Sequence, residues 1–247
     1  MPRGVWRRVM DRYPGTRVLE FYAGTEADVV LANLSTTKPG ARGRPLPGTS
    51  EVRLVEIDPD TSEVLTGPDG YAIPSEVDAP GVLISRPRLG VDASVRQLRG
   101  LLRPGDTWVS TNDAFERDRD GDFWLIGSAS SVVRTAHGPV YPIQVADALG
   151  DLPEVDLAVV YGVPSSQGPI AVAPVSLWDS EPVVGADIGG ALASVPADAQ
   201  PDIVHVVTDI PVTNWYRPDP ARSPPRAYRK SARAPGSAIP TRVSTCD

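Results

Sequence analysis

Apolar and polar residues alternate along this chain at two different periods, and the change between them divides it. Near the start, Val5, Trp6, Val9 and Met10 fall on one helical face while Arg7, Arg8, Asp11 and Arg12 fall largely on another, which predicts an amphipathic surface helix over residues 5–13. That helix feeds an expected strand over 17–21, and Val-Leu-Glu-Phe-Tyr-Ala-Gly-Thr-Glu at 18–26 reads as a buried strand that breaks at a small-residue turn. Residues 51–57, 63–65, 70–73 and 81–85 look like short strands separated by Pro-Asp, Gly-Pro-Asp-Gly and Ala-Pro-Gly turns, as in a meander or small barrel. The spacing of Val95, Leu98, Leu101 and Leu102 predicts a helix over 91–102. From Gly127 strands and helices alternate: strands at 132–133, 157–161, 170–178 and 203–207, helices at 142–149, with Pro142 in its first turn, and at 185–195. This second pattern predicts a compact α+β unit.

Length allows one large domain or two small ones, and a hydrophobic content of 41% suits a globular core. No run approaches the roughly 18 apolar residues of a membrane span. The first residues, with Arg3, Arg7 and Arg8 around Trp6, lack a secretory apolar run, so the chain reads as cytosolic. A formal charge of -7 argues against general nucleic-acid binding, which needs a basic face. The single Cys246 permits no internal disulfide and no cysteine metal cluster, and the two histidines, His137 and His205, cannot form a multi-histidine metal site. His205 sits in an apolar strand pattern and reads as a packed or edge-strand residue; His137 is a weak candidate for ligand contact.

Thr25 and Glu26 present a hydroxyl and a carboxylate side by side, hard ligands that can meet a phosphate and its magnesium; the same residues also read as an ordinary polar turn after a strand. Downstream come Lys38-Pro-Gly-Ala-Arg-Gly-Arg-Pro-Leu-Pro-Gly48, Glu51-Val-Arg-Leu-Val-Glu-Ile57, Gly105-Asp-Thr-Trp-Val-Ser-Thr-Asn-Asp113 and Asp120-Gly-Asp-Phe-Trp-Leu-Ile-Gly127. In this order they resemble the adenylate-forming superfamily, in its fatty-acid transport protein and very-long-chain acyl-CoA synthetase branch. There Phe-Tyr-x-x-Thr-Glu, Gly-x-Pro-Gly and Thr-Gly-Asp elements recur.

The resemblance implies an α/β plus α+β architecture, the C-terminal part of an adenylate-forming enzyme. Residues 1–126 would be a β-rich remnant of the AMP-binding domain, 127–216 the small mobile lid domain, and 217–247 a basic, Pro/Arg-rich disordered tail. It implies that ATP and a fatty acid form an acyl-adenylate, from which CoA thiol displaces AMP. Thr25 would then touch phosphate, Glu26 hold Mg2+, Tyr22 lie against adenine, Asp113 bind the ribose hydroxyls and Arg134 contact the nucleotide. A carboxylate suits a vicinal diol because it accepts from both hydroxyls, although Asp113 also reads as the start of a hairpin turn.

Departures from the pattern are equally specific. The family's Ser/Thr/Gly-rich phosphate loop ending in Pro-Lys precedes the Phe-Tyr-x-x-Thr-Glu element, and nothing in residues 1–21 resembles it. Ser128 stands where the family has a ribose-contacting arginine, Ser130 at the hinge acid, and Gln144 and Ala146 where glutamate is preferred. Arg217, with Tyr216 before it, aligns with the family's Gly-Lys, whose lysine meets the reacting oxygens; a forked guanidinium is not a conservative replacement for an ammonium at a tight site.

Three readings follow. The chain is the C-terminal portion of a fatty acyl-CoA synthetase, inactive alone; or a half-enzyme completed by a separately encoded N-terminal part; or a non-catalytic module that binds nucleotide, acyl-CoA or protein. Residues 217–247 carry seven basic and two acidic side chains, so peripheral contact with an anionic membrane is an expectation for the tail.

Overall fold

The computed structural model describes residues 1–35, 37–58, 61, 63–86, 94–178 and 185–214. The tail over 217–247, and Tyr216 and Arg217 with it, lie outside them. The chain divides between Val132 and Val133 into two compact units.

In the first unit, α1 (Arg3–Arg12) leads into a hairpin of β1 (Glu20–Gly24) and β2 (Val29–Asn33), extended by β3 (Arg44–Pro45) in the order β1-β2-β3. Helix α1 is amphipathic as expected, and Trp6 is its fully buried anchor. Strand β1 is not the buried strand that its apolar composition suggested. Its residues alternate, with Glu20 buried and Phe21 72% exposed, and Leu19 and Leu34 lie exposed at the same end of the hairpin. The buried Glu20 carboxylate is satisfied by Arg42 at 2.9 Å and the Gly40 backbone N–H at 3.1 Å.

A second sheet follows the order β4-β5-β7-β6, with β8 also on β7: β4 (Glu51–Val55), β5 (Gly81–Arg86), β6 (Gln97–Arg99), β7 (Thr107–Arg117) and β8 (Phe123–Ser128). The expected strands at 63–65 and 70–73 contribute only the single bridges Ile57–Val64 and Thr66–Ala72. Val82, Leu83, Ile84, Trp108, Val109 and Phe115 form the buried middle of the sheet.

Of the helix expected over 91–102, the described residues 94–102 contain strand β6 instead, antiparallel to β7. The reason is Asp106. Its carboxylate accepts the backbone N–H groups of Leu101, Leu102 and Arg103 at 2.8, 3.2 and 3.1 Å and the Trp108 indole at 2.7 Å. Those backbone donors are captured by a side chain from downstream and do not enter a helical ladder. Leu98, Leu101 and Leu102 still pack on the core beside Trp108, so the apolar spacing marked burial correctly and the period wrongly. Burial pushes the Asp106 carboxyl up, but the Trp108 indole and the three backbone donors outweigh it and hold it below the usual carboxylate range.

Two quoted motifs are fastened together. Lys38 Nζ lies 2.6, 2.7 and 3.0 Å from Asp118, Asp120 and Asp122, pinning the start of the glycine-rich loop to the β7–β8 turn. Burial raises the Asp118 carboxyl while Lys38 and the Trp124 indole lower it further, to about 2. Within that loop Gly43 has φ +81, and a Cβ there would stand 2.0 Å from the Ala32 carbonyl oxygen of β2. Only glycine lets the backbone pass so close while its carbonyl accepts the Phe123 N–H at 2.8 Å.

In the second unit, β9 (Val133–Thr135) and β10 (Gly138–Val140) form a hairpin and α2 (Pro142–Leu149) follows. Then come β11 (Val155–Ala158), β12 (Tyr161–Val163), β13 (Ile170–Leu177), α3 (Gly185–Leu192) and β14 (Ile203–Val206). The expected strand at 157–161 is thus divided between β11 and β12, which pair antiparallel with successive parts of one edge of β13, while β14 runs parallel along its other edge after the α3 crossover. Val145 and Leu149 of α2 and Ile188 and Leu192 of α3 cover Ala173 and Val175 of β13. His205 is half-buried on β14, where burial pushes its pKa down.

Candidate functional site

The site is built where the end of β1 meets the middle of β7. Gly24 makes this approach possible, since a Cβ on it would lie 2.9 Å from Val29 Cγ1, 3.4 Å from the Tyr22 hydroxyl and 3.6 Å from Thr111 Cγ2. Tyr22 Oη donates to Asp113 Oδ2 at 2.7 Å, joining residues 91 apart in sequence. The Tyr22 ring stands edge-on to Phe115 with centroids 5.0 Å apart, which ties it to the core.

Asp113 lies within β7, not in a turn; the hairpin turns later, at the Asp118 to Asp122 stretch. The strand is irregular there. Asn112 has φ 59, and the register shifts between Ala114 and Phe115. Thr111 Oγ1 accepts the Asp113 N–H at 3.2 Å and donates to the Leu83 carbonyl at 2.9 Å, locking the bend to β5. Sequence reasoning missed both Thr111 and Asn112 as shaping residues. The signal was present: Asn stands where the Thr-Gly-Asp element has glycine, and Asn tolerates the left-handed region better than other residues with a side chain.

Thr25 and Glu26 are exposed in the turn that joins β1 to β2, next in the chain to Gly24. The turn closes with Asp28 N–H donating to the Thr25 carbonyl at 3.3 Å, and Ala27 is held from behind by the Ser85 hydroxyl. Tyr22, Thr25, Glu26 and Asp113 therefore belong to one neighbourhood of the first unit. Arg134 is on β9 of the second unit, and Arg217 is outside the described residues.

Electrostatically the pair is asymmetric. Burial pushes the Tyr22 phenol up, and the Asp113 carboxylate adds to that through its hydrogen bond and charge. Burial also raises Asp113, against which the Tyr22 hydrogen bond acts. Across β8, Ser128 is the strand partner of Asp113; its hydroxyl donates to the Asn112 carbonyl at 3.2 Å and lies 3.0 Å from Ser130 Oγ. The serines that replace the expected arginine and acid thus satisfy one another and the adjacent strand. Among the described residues no group of three or more His, Cys, Asp or Glu could hold a metal. The lone carboxylate of Glu26 suits magnesium that arrives with a phosphate, which takes one or two protein carboxylates, and not an all-protein cage.

No protein-family model matches the chain. In sequence it is 28% identical over 229 residues to long-chain fatty acid transport protein 5 of Mus musculus, a match covering 86% of this chain and 33% of that protein. It is also 28% identical over 230 residues to the medium/long-chain-fatty-acid–CoA ligase FadD6 of Mycobacterium tuberculosis, covering 86% and 37%. Over most of its length, then, the chain is similar to fatty acid transport proteins and to an acyl-CoA ligase.

Solved structures share the fold. The anthranilate CoA ligase AuaEII, solved in complex with anthranoyl-AMP, superposes with a TM-score of 0.65 at 19% identity, over 88% of this chain and 41% of that one. The amide bond synthetase McbA from Marinactinospora thermotolerans gives 0.65 at 22% identity, over 92% and 45%. The chain spans about a third of the length of these curated relatives and about two-fifths of these solved structures. No described helix is long and apolar enough to cross a membrane.

Proposed function

We propose that the chain is a fatty acyl-CoA synthetase homologue that holds the adenosine-facing part of an adenylate-forming site and does not complete adenylation by itself. On this reading residues 1–126 are the end of the AMP-binding domain and 127–216 the lid. The observation that carries it is the Tyr22–Asp113 hydrogen bond of 2.7 Å, which unites an aromatic ring for a base with a carboxylate for a diol beside the Thr25-Glu26 turn. Glu26 would hold nucleotide-borne Mg2+ and Thr25 a phosphate oxygen, with fatty acid and CoA as the substrates of the complete reaction. Against a complete adenylation reaction stand the departures within the motifs themselves, Ser128 and Ser130 in place of an arginine and an acid and Arg217 in place of a lysine.

Calorimetric titration with AMP tests the nucleotide reading. Asp113→Asn should weaken AMP binding about 10- to 100-fold, the worth of hydrogen bonds to a charged acceptor. Equal affinity in both proteins would move the nucleotide away from Asp113.

A specific observation also favours the half-enzyme reading. Strand β1 is the outer strand of its sheet among the described residues, and Leu19, Phe21 and Leu34 are 55%, 72% and 55% exposed at that end of its hairpin with β2. A strand edge with no pairing partner among the described residues, beside exposed large apolar side chains, suits a further piece of polypeptide. Phe21→Lys should leave stability within about 0.5 kcal/mol, as for surface positions generally, while lowering binding of an apolar dye such as ANS. A large loss of stability would show that Phe21 already has its packing partners.

A further inference from the structure

Asp113 is held from two directions before any ligand arrives. Thr111 fixes its backbone N–H, and Tyr22 fixes one oxygen of its carboxylate at 2.7 Å. The other oxygen, Oδ1, receives no hydrogen bond from a described residue. Tyr22 is itself constrained, paired with Leu31 across the β1–β2 ladder and set edge-on against Phe115 at 82°. A phenol anchored in this way has little freedom to turn its hydroxyl elsewhere.

We infer that Tyr22 is a positioning residue, whose hydroxyl holds the Asp113 carboxylate in the orientation that receives two adjacent hydroxyls of a ribose. The inference rests on the nucleotide reading above and adds to it: the tyrosine acts on the ligand through the carboxylate as well as through its ring. A carboxylate offers about four lone-pair sites, so one donated hydrogen bond steers the group and leaves acceptors for a diol. Preorganisation of this kind spares the complex the ordering of a rotating side chain. Burial and the neighbouring carboxylate both push the Tyr22 phenol up, so it remains a donor across the range in which proteins stay folded, and its bond favours the ionised form of the half-buried Asp113.

Tyr22→Phe in the whole chain isolates the hydroxyl, because the ring and its contact with Phe115 are kept. Three measurements accompany it: the urea midpoint, the Asp113 titration followed by carboxyl carbon-13 NMR, and AMP binding by calorimetry. The expected result is an almost unchanged midpoint, an Asp113 titration moved to higher pH, and AMP affinity lower by about 10-fold, typical of one lost hydrogen bond to a charged group. An Asp113 titration identical in the two proteins, with AMP binding equally tight, would overturn the positioning role and leave the nucleotide reading standing. A parent chain that binds no AMP would remove both, even if the Asp113 titration moved.

Discussion

Replacing Asp106 with alanine is expected to destabilise the first unit by about 3–5 kcal/mol, comparable to breaking a buried hydrogen-bonded charge. The carboxylate is 3% exposed and accepts four hydrogen bonds, from Leu101, Leu102, Arg103 and Trp108. Its removal leaves four partly or fully buried donors to find water or go without, and each such orphan costs about 1–3 kcal/mol when it stays dry. The Trp108 indole is one of the four, so tryptophan fluorescence during urea unfolding, to which it contributes with four other tryptophans, follows the transition. A loss under about 1 kcal/mol would mean that water replaces the carboxylate without strain. The sign with pH follows from the depressed folded-state pKa. Asp106 contributes its stability above the unfolded carboxylate value near 4, and that stability disappears as pH falls through the lower folded value. In the alanine variant this acid-dependent part of the unfolding curve should be absent.

Phe115→Ala should be nearly as costly, about 3–5 kcal/mol for a fully buried aromatic side chain. Its second effect is more informative. Phe115 is the edge-on neighbour of Tyr22 and packs with Val29, Leu31 and Phe123, so the cavity would release the phenol from its orientation towards Asp113. The variant should lose AMP affinity even under conditions where circular dichroism shows the first unit folded, whereas Leu149→Ala in the second unit, with a comparable loss of stability of about 2–5 kcal/mol, should not. Equal AMP binding by folded Phe115→Ala and the parent chain would separate the aromatic packing from the nucleotide site.

The places where sequence anticipated structure share a physical cause. Helix α2 begins at Pro142 and ends before Gly150, and β13 and β14 are apolar runs broken only by Ser176 and His205; each is specified by residues within its own span. The failures are non-local. Val95, Leu98, Leu101 and Leu102 satisfy a helical period, yet the fate of that segment depends on a carboxylate at 106 and on pairing with β7. The open face of β1 was likewise invisible, because the residues at 18–26 are apolar enough to be buried and become exposed only where the sheet ends.

The site shows the same division. Tyr22, Thr25, Glu26 and Asp113 could be named from motifs, but the bond between the first and last spans 91 residues and exists because Gly24 and the bend at Asn112 bring two strands together. Motif spacing identified the participants and gave no hint that two of them bind each other. The serines at 128 and 130 read as losses of charge; in the structure they also form a small hydroxyl network with the Asn112 carbonyl, which gives the replacement a local logic.

On the function proposed above, residues 1–247 carry an adenosine-facing surface without completing adenylation, and fatty-acid-dependent exchange of labelled pyrophosphate into ATP tests this most directly. The isolated 247-residue chain, supplied with magnesium, ATP and a long-chain fatty acid, should give no exchange above the protein-free background. Exchange that requires both the fatty acid and the chain, and that Glu26→Ala abolishes, would contradict the account.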